Sequence, residues 1–444
     1  MVQERHDFPS LAKPPVLAAD QRVFLLLQGP HGPFFDRLAN LLRVAGSTVW
    51  RCSFNAGDEF FWSDKPSLLR YQGHPSEWPA YLDRIIAERG VTDIVLYGDV
   101  RPVHAAARTA ARMANITLHV FEEGYLRPYW ISYERGGSNG HSALVNVSLD
   151  RMRATLRDTL TEVRRPPAYW GDMRHHKFYG ALYHLLVLIA NWRYRQFLSH
   201  RALSVRQEFW LNLSRLILTP LHSATRAIQW RRFRLSGSPY VLVPMQLEHD
   251  SNMQWHSAFR LNRQFIDEVV AAFAASAPRH HNLLFKAHPL EDGRAQNRKA
   301  IRAAAARHGL EGRVHYFRGG KLADMLAHAR SVITVNSTAA QQALWRGLPV
   351  KALGRAVYCK PGLVSDQSLA DFIADPQHPD SAAYRTFRDY LLQTSQVPGG
   401  FYSRRSRAHA LRLIADMILA SDDPYQSLAA GRFQRRQQVG ELLD

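Results

Sequence analysis

Cysteine is scarce in this sequence, since Cys52 and Cys359 are the only two among 444 residues. Two cysteines exclude a disulfide framework and a cysteine-rich zinc module, and they fit a reducing cytoplasm. Long apolar runs are also missing: the most apolar run is residues 181–190, and a helix that spans a bilayer needs about 20 residues. Residues 1–20 lack an apolar core segment, so we expect a loose lead-in and not a secretion signal.

Negative charge is in short supply too. The chain has 38 Asp and Glu against 57 Lys and Arg, which gives a formal net charge of +19. Because 46% of the residues are hydrophobic and only 21% are charged, the composition indicates a folded protein with large cores and not a disordered basic tail. An excess of this size predicts an anionic partner, and nucleic acid, anionic lipid and phosphorylated small molecules all qualify on charge alone.

Apolar strands alternate with amphipathic helices in two separate runs, residues 21–150 and 236–390. The first run opens with a strand over Val23–Leu27 and a helix over 34–45, and the second opens with a strand over Tyr240–Pro244. Such alternation predicts parallel, doubly wound sheets. The predicted fold class is therefore α/β, with two Rossmann-like domains facing across a cleft where ligands bind beyond the strand ends.

Residues 151–235, between the two runs, do not alternate. They hold sixteen Lys and Arg against four Asp and Glu, a net charge of +12, together with twelve aromatic residues that include Trp192 and Trp230. This pattern predicts a basic helical insert, and it is typical of helices that lie on an anionic membrane surface. A solvated helical hairpin is the alternative. Residues 391–444 are predicted to form C-terminal helices.

Polar clusters follow two strands of the first domain. The turn after the first strand contains Gln28, Gly29, Pro30, His31 and Gly32, where glycines let the backbone approach a ligand; a tight turn packed by phenylalanines is the alternative. Later, adjacent carboxylates at Glu122 and Glu123 precede Arg127. Either carboxylate is a candidate acid/base group, whereas an ion pair with Arg127 is the alternative explanation for one of them.

Three further clusters follow strands of the second domain. Asp250, with neighbours Gln246 and Ser251, is a candidate nucleophile or a helix cap. A strand that ends in Lys286 is followed by His288 and Pro289. This arrangement predicts a histidine that binds a phosphate, and a purely structural histidine is the alternative. The third cluster stands at the start of a helix, where it offers hydrogen-bond donors to a phosphate. Ordinary capping of the helix is the alternative. The members of this cluster are Asn336, Ser337 and Thr338.

These clusters, in this order, resemble the capsule polysaccharide biosynthesis family of the KpsS and LipB type. The resemblance rests on QGPHGPFF, FNAGDEFFW, YGDVRPVH, FEEGYLRPYWISYERGGSNGHS, MQLEHDS, KAHPLEDG, VNSTAAQQAL and LGRAVYCKPGL. It implies a GT-B-like fold and a retaining β-Kdo glycosyltransferase that uses CMP-Kdo. The acceptor would be a lipid of the lysophosphatidylglycerol type. Transfer of the first Kdo to this lipid, by double displacement, would start the capsular linker.

The resemblance also implies a role for each cluster. Asp250 would be the nucleophile, Glu123 the acid/base group, and a protonated His288 would contact the CMP phosphate with Lys286 and Pro289. Asn336, Ser337 and Thr338, at the start of a helix, would hold the nucleotide. The remaining candidates would bind substrate: Gln28, Gly29, Pro30, His31, Gly32, Glu122, Arg127, Gln246 and Ser251. Neither a metal nor another cofactor is expected.

The expected partners are CMP-Kdo, an anionic lipid acceptor, the inner-membrane surface, a KpsC-type transferase and the capsule export complex, but not nucleic acid. The expected location is cytoplasmic and peripheral on the inner membrane. Two alternatives remain open. One is a capsule or lipopolysaccharide glycosyltransferase with another nucleotide-sugar donor, and the other is a non-catalytic accessory protein of capsule export.

Overall fold

A computed structural model describes residues 17–156, 173–196, 228–289, 291 and 293–431. Its first sheet has seven strands in the order β12-β6-β5-β4-β1-β2-β3. The strands are β1 Val23–Leu26, β2 Thr48–Ser53, β3 Leu68–Arg70, β4 Asp93–Tyr97, β5 Thr117–Glu123, β6 Trp130–Arg135 and β12 Gln396–Pro398. The helices of this half are α1 Phe34–Val44, α2 Ala56–Phe60, α3 Trp78–Arg89, α4 Pro102–Met113, α5 Leu149–Leu156 and α6 Met173–Ala190.

The second sheet has five strands, all parallel, in the order β11-β10-β7-β8-β9. Its strands are β7 Tyr240–Pro244, β8 Asn282–Lys286, β9 Val314–Phe317, β10 Ser331–Thr334 and β11 Val350–Ala352. The accompanying helices are α7 Ser251–Trp255, α8 Asn262–Ser276, α9 Asn297–Arg307, α10 Leu322–Leu326, α11 Ala339–Leu344, α12 Leu369–Ala374 and α13 Ser381–Gln393. Two Rossmann-like domains with parallel sheets confirm the predicted GT-B-like fold class.

Apolar runs explain the central strands. In β1 the side chains of Phe24, Leu25 and Leu26 are fully buried, because helices cover both faces of a parallel sheet. Helix α3 stops where Gly90 adopts a left-handed conformation with φ of 59°, which a residue without a Cβ adopts at little cost. These local signals place most strands within one or two residues of their predicted bounds.

The first sheet differs from the prediction at one edge, where β6 and β12 are antiparallel to their neighbours. Only residues 124–129 connect β5 to β6, and a parallel crossover needs a dozen residues or more. The chain returns to this sheet after α13, and α14 (Arg404–Leu419) contributes Ile414 and Met417 to the same core as Phe24. Residues 396–419 therefore pack with the N-terminal domain, and they begin with the strand β12 ahead of the helix α14. A short helix, α15 (Pro424–Ala429), follows.

Helix α6 is the best described part of the predicted insert, much of which (157–172 and 197–227) lies outside the described residues. Its buried residue Tyr183 accepts a hydrogen bond from Asn55 Nδ2 at 2.6 Å and donates to Asp58 Oδ1 at 3.2 Å. A Cβ on Gly57 would lie only 2.5 Å from the Tyr183 ring, so glycine permits this close packing. None of the described helices is long and apolar enough to span a bilayer.

A buried ion network joins β4 and β5 of the first domain to the residue that precedes β1. Arg22 Nε donates to Asp93 Oδ2 at 3.0 Å, and His119 Nε2 lies 2.8 Å from Asp93 Oδ1. Burial opposes ionisation of Asp93, but the hydrogen bonds from His119 and Arg22 outweigh it and lower the pKa of this carboxyl. Its contribution to stability is therefore present at neutral pH and is lost as the pH falls below about 4.

Substitution of Asp93→Asn should lower the free energy of unfolding by about 3 kcal/mol, because it leaves the buried Arg22 charge uncompensated. Urea unfolding at pH 7 measures this loss, with the exposed Asp83→Asn as the matched control. A loss below about 0.5 kcal/mol, the usual range for surface substitutions, would contradict the assignment.

Candidate functional site

The carboxylates Glu122 and Glu123 lie at the end of β5, and both are half-buried. Burial raises the pKa of Glu122 to about 7, aided by the neighbouring Glu123 and opposed by Arg127. Glu123 Oε1 accepts a hydrogen bond from the Tyr97 hydroxyl at 3.2 Å. The two carboxylates therefore occupy different environments, as expected for one acid/base group and a neighbour with another role.

Arg127 connects the two sides of the cleft. Its guanidinium charge acts on Glu122 of the N-terminal domain and on Asp250 and His288 of the C-terminal domain. Its Nε donates to the Gly124 carbonyl at 3.2 Å, yet the residue is exposed. An exposed cation between carboxylates of two domains is well placed to bind an anionic group of a ligand.

Asp250 follows β7 and caps α7, where its Oδ1 accepts a hydrogen bond from the backbone N–H of Asn252 at 2.9 Å. Burial raises the pKa of Asp250, although hydrogen bonds from Asn252 and Gln246 and the charge of Arg127 oppose this rise. The capping alternative is therefore confirmed for Asp250, and its role as a nucleophile stays a prediction.

A reciprocal pair of side-chain amides holds the helix that Asp250 caps. Gln246 Nε2 donates to Asn336 Oδ1 at 2.9 Å, and the backbone N–H of Asn336 donates to Gln246 Oε1 at 3.0 Å. Asn336 Nδ2 also donates to the Asn252 carbonyl at 2.8 Å. Both polar atoms of the Asn336 side chain are therefore engaged within the protein, where they hold α7 in place, and the contact of this residue with a nucleotide stays a prediction.

The next residues, Ser337 and Thr338, precede α11. Ser337 Oγ accepts from the Ala339 backbone N–H at 3.2 Å, which is the capping alternative, while both residues stay half-buried. Thr338 lines a narrow pocket between the domains, together with Tyr125, Asn139 and Gln341. The side chain of Ser251 lies outside the described part of the structure.

Lys286 is the last residue of β8 and His288 follows the strand, as the sequence predicts. Burial lowers the pKa of Lys286. Burial, followed by the charges of Arg127 and Lys286, lowers the pKa of His288 to about 4. The expectation of a protonated His288 is therefore wrong for the unliganded protein, because this imidazole is neutral at pH 7. The adjacent Pro289 is exposed.

The turn from Gln28 to Gly32 is covered by protein. Gln28 Nε2 donates to Asp58 Oδ2 at 3.1 Å, and the His31 ring stacks on Tyr183 of α6 with ring centroids 4.2 Å apart. A Cβ on Gly32 would lie 3.2 Å from the Tyr179 ring. Gly29 and Pro30 are buried. In this structure the turn packs against α6. A Cβ on Gly29 would also lie 2.7 Å from the Phe35 ring, which is the packing by phenylalanine that the sequence offers as the alternative.

Sequence reasoning missed three side chains around Glu123, namely Tyr97, His176 and Tyr402. Tyr402 hydrogen-bonds to Glu123, and His176 of α6 stacks on Tyr402. These residues come from three distant parts of the chain, so no local motif connects them. Within the described residues, no group of three or more His, Cys, Asp or Glu is placed to hold a metal ion.

The fold and the site define an α/β protein of GT-B-like architecture. Its candidate catalytic and binding residues lie at strand ends of the two domains. The capsule polysaccharide biosynthesis protein family model matches residues 92–402, and the chain belongs to this family. It is 32% identical over 386 residues to the capsule polysaccharide modification protein LipB of Neisseria meningitidis serogroup A, covering 86% of this chain and 91% of that protein.

Two further proteins are similar. The capsule polysaccharide export protein KpsS of Escherichia coli is 31% identical over 384 residues, covering 85% of this chain and 96% of that protein. Among solved structures, the β-Kdo 2,7 transferase of Thermosulfurimonas dismutans KpsC aligns with 89% of this chain and 100% of its own, with a TM-score of 0.44 and 12% identity.

The amide pair predicts a stability effect. Replacing Asn336 by Ala removes the partners of Gln246 and of the Asn252 carbonyl, so the free energy of unfolding should fall by about 2 kcal/mol. Chemical denaturation measures this change, with the exposed Gln377→Ala as a comparison. An Asn336→Ala protein as stable as the parent would show that the pair does not hold α7.

Proposed function

We propose that this protein is a retaining β-Kdo glycosyltransferase that transfers Kdo from CMP-Kdo to a lipid acceptor of the lysophosphatidylglycerol type. One observation carries the proposal: Asp250 and the carboxylate pair Glu122 and Glu123 lie on opposite domains, and the charge of Arg127 reaches both. Two carboxylates across a cleft are what a double displacement at a sugar carbon requires. The reaction would start the capsular linker.

In the first displacement, an Asp250 carboxylate oxygen forms a bond to the anomeric carbon of Kdo while the bond from that carbon to the phosphate oxygen of CMP breaks. The leaving CMP takes the bonding electron pair as phosphate charge. Lys286, an N–H of neutral His288 and the Thr338 hydroxyl stabilise that charge. Exposed Arg127 binds the Kdo carboxylate.

In the second displacement, Glu123 accepts the proton of the acceptor hydroxyl, and the hydroxyl oxygen bonds to the anomeric carbon as the bond to Asp250 breaks. Two inversions give net retention. Glu123 serves as the base because hydroxyl donors such as Tyr97 stabilise its ionised form. The neighbouring Glu122, with a pKa raised to about 7 by burial, is half protonated at neutral pH and is a poorer permanent base.

Substitutions of the two carboxylates test the chemistry. Asp250→Ala and Glu123→Gln should each lower the rate of CMP release from CMP-Kdo with a lipid acceptor by at least about a hundredfold, because each removes a group that forms or breaks a bond. The exposed Asp324→Ala and Glu268→Gln are matched controls. Folded variants that transfer Kdo at the parent rate would exclude these roles, whereas a parent protein that releases no CMP would favour a non-catalytic export accessory.

The identity of the donor has a separate test. Binding of a ligand to the folded state raises the melting temperature, so CMP-Kdo should stabilise the protein, whereas UDP and GDP sugars at equal concentration should not. Stabilisation by a UDP or GDP sugar alone would favour the alternative, a capsule or lipopolysaccharide glycosyltransferase with another donor.

The outer face of α6 supports the proposed location at an anionic membrane. Phe178, Leu185, Ile189 and Trp192 form one stripe at helical spacing, and Ile189 and Trp192 are 66% and 65% exposed. Cations flank the stripe at both ends: Arg174, Lys177, Arg193 and Arg195. An apolar stripe between basic residues is typical of helices that lie in a lipid headgroup region. A KpsC-type transferase and the export complex remain predicted partners.

Vesicle binding tests this surface. Leu185→Glu combined with Ile189→Glu should reduce co-sedimentation with phosphatidylglycerol vesicles by at least about tenfold, because both changes place negative charge in the apolar stripe. Parent binding should also weaken at high salt. Val44→Glu, an equally apolar and 87% exposed position on α1, is the control. Equal binding of the double variant and the control would contradict the assignment of α6.

A further inference from the structure

We propose that Tyr97, Tyr402 and His176 form a positioning cluster that orients the Glu123 carboxylate toward the acceptor hydroxyl. The inference rests on the proposed function, because it assigns these residues to the base of the second displacement. It also makes helix α6 part of the active site and not only a docking surface. None of the three residues belongs to a strand-end motif that suggested the activity.

Tyr97 holds the carboxylate from the neighbouring strand. It is the last residue of β4, where it pairs in register with Phe121 of β5, two residues before Glu123. Its hydroxyl donates to Glu123 Oε1 at 3.2 Å. Burial, and then the negative charge of Glu123, raises the pKa of Tyr97. The phenol therefore keeps its proton and remains a hydrogen-bond donor throughout the physiological pH range.

Tyr402 holds the same carboxylate from the returning C-terminal segment. Its hydroxyl hydrogen-bonds to Glu123 and lies within hydrogen-bonding reach of Tyr97. Burial, again followed by the charge of Glu123, raises the pKa of Tyr402. The residue directly precedes α14 and adjoins Phe401, which packs edge-on against Tyr97 with ring centroids 5.2 Å apart. Two phenols from different elements thus converge on one carboxylate.

His176 comes from α6 and covers the phenols. Its ring stacks on Tyr402 with centroids 4.3 Å apart and an interplanar angle of 16°. The charges of Glu123 and Arg127 both act on this imidazole, and burial lowers its pKa, so His176 is neutral at pH 7. A flat neutral ring against Tyr402 limits the rotation of that phenol and thereby fixes its hydroxyl.

The cluster combines two effects on the base. Hydroxyl donors favour the ionised form of a carboxylate, which is the form that accepts a proton. They also restrict its rotamers, so less ordering is needed when the acceptor arrives. The charged or titratable groups around Glu123 come from the N-terminal domain, α6 and the segment before α14. They are Tyr97, Arg101, Glu122, Arg127, His176, Lys177 and Tyr402.

The phenols are tested by removal of single oxygens. Tyr97→Phe and Tyr402→Phe should each lower kcat about tenfold and leave KM for CMP-Kdo within about twofold, because the donor binds before Glu123 acts. The acidic limb of the pH–rate profile should move to higher pH, since fewer donors stabilise the carboxylate. Tyr81→Phe, on α3 and away from the cleft, is the matched control and should retain parent kinetics.

The stacking ring is tested by a pair of variants at one position. His176→Phe keeps a flat ring against Tyr402 and should retain kcat within about threefold, whereas His176→Ala removes it and should lower kcat about tenfold. Melting temperatures of all variants, measured in parallel, separate this effect from unfolding. Equal activity of the Ala and Phe variants would contradict the role of stacking.

The outcomes also separate this inference from the proposed function. A parent protein that releases no CMP from CMP-Kdo in the presence of lipid acceptor contradicts the proposed function, and the cluster with it. An active parent whose Tyr97→Phe and Tyr402→Phe variants keep both kcat and the pH–rate profile contradicts the cluster alone. Loss of kcat with an unchanged acidic limb would likewise overturn it, because that result indicates general damage and not an effect on the base.

Discussion

The reciprocal amide pair between Gln246 and Asn336 is the interaction on which the candidate site depends. It joins the ends of β7 and β10, neighbouring strands of the second sheet. Through the Asn252 carbonyl it also holds α7, whose first residues orient Asp250. A buried amide that is satisfied on all sides has one low-energy arrangement, so this pair fixes a carboxylate that burial alone would leave without a defined direction.

Helix α6 connects the chemistry with its location. Its inner face places Tyr183 against the Gln28 turn and His176 against Tyr402, close to Glu123. Its outer face is apolar and exposed at Ile189 and Trp192. In the proposed function, the same helix therefore lies between a lipid surface and the base that activates a lipid-borne hydroxyl, which explains why the insert is so basic.

The sequence was sufficient for features that depend on local pattern. Buried strands such as β1 and β8 appear as apolar runs, and the carboxyl ends of parallel strands bring Asp250 and His288 to one edge. Features that depend on distant packing were not accessible. No local signal shows that Tyr402 returns to Glu123, that Asn336 is engaged by Gln246, or that burial makes His288 neutral. The antiparallel β6 had a signal, the short connection after β5, that the alternation of helices and strands obscured.

The central claim is that Asp250 forms a covalent bond to Kdo, and mass spectrometry of a trapped enzyme tests it most directly. When the Glu123→Gln variant is incubated with CMP-Kdo, the second displacement is slowed and the first is not. The account predicts a mass increase of one Kdo residue per chain, located on the peptide that contains Asp250 and absent in an Asp250→Ala, Glu123→Gln double variant. CMP release without any adduct, together with a product of inverted anomeric configuration, would contradict it.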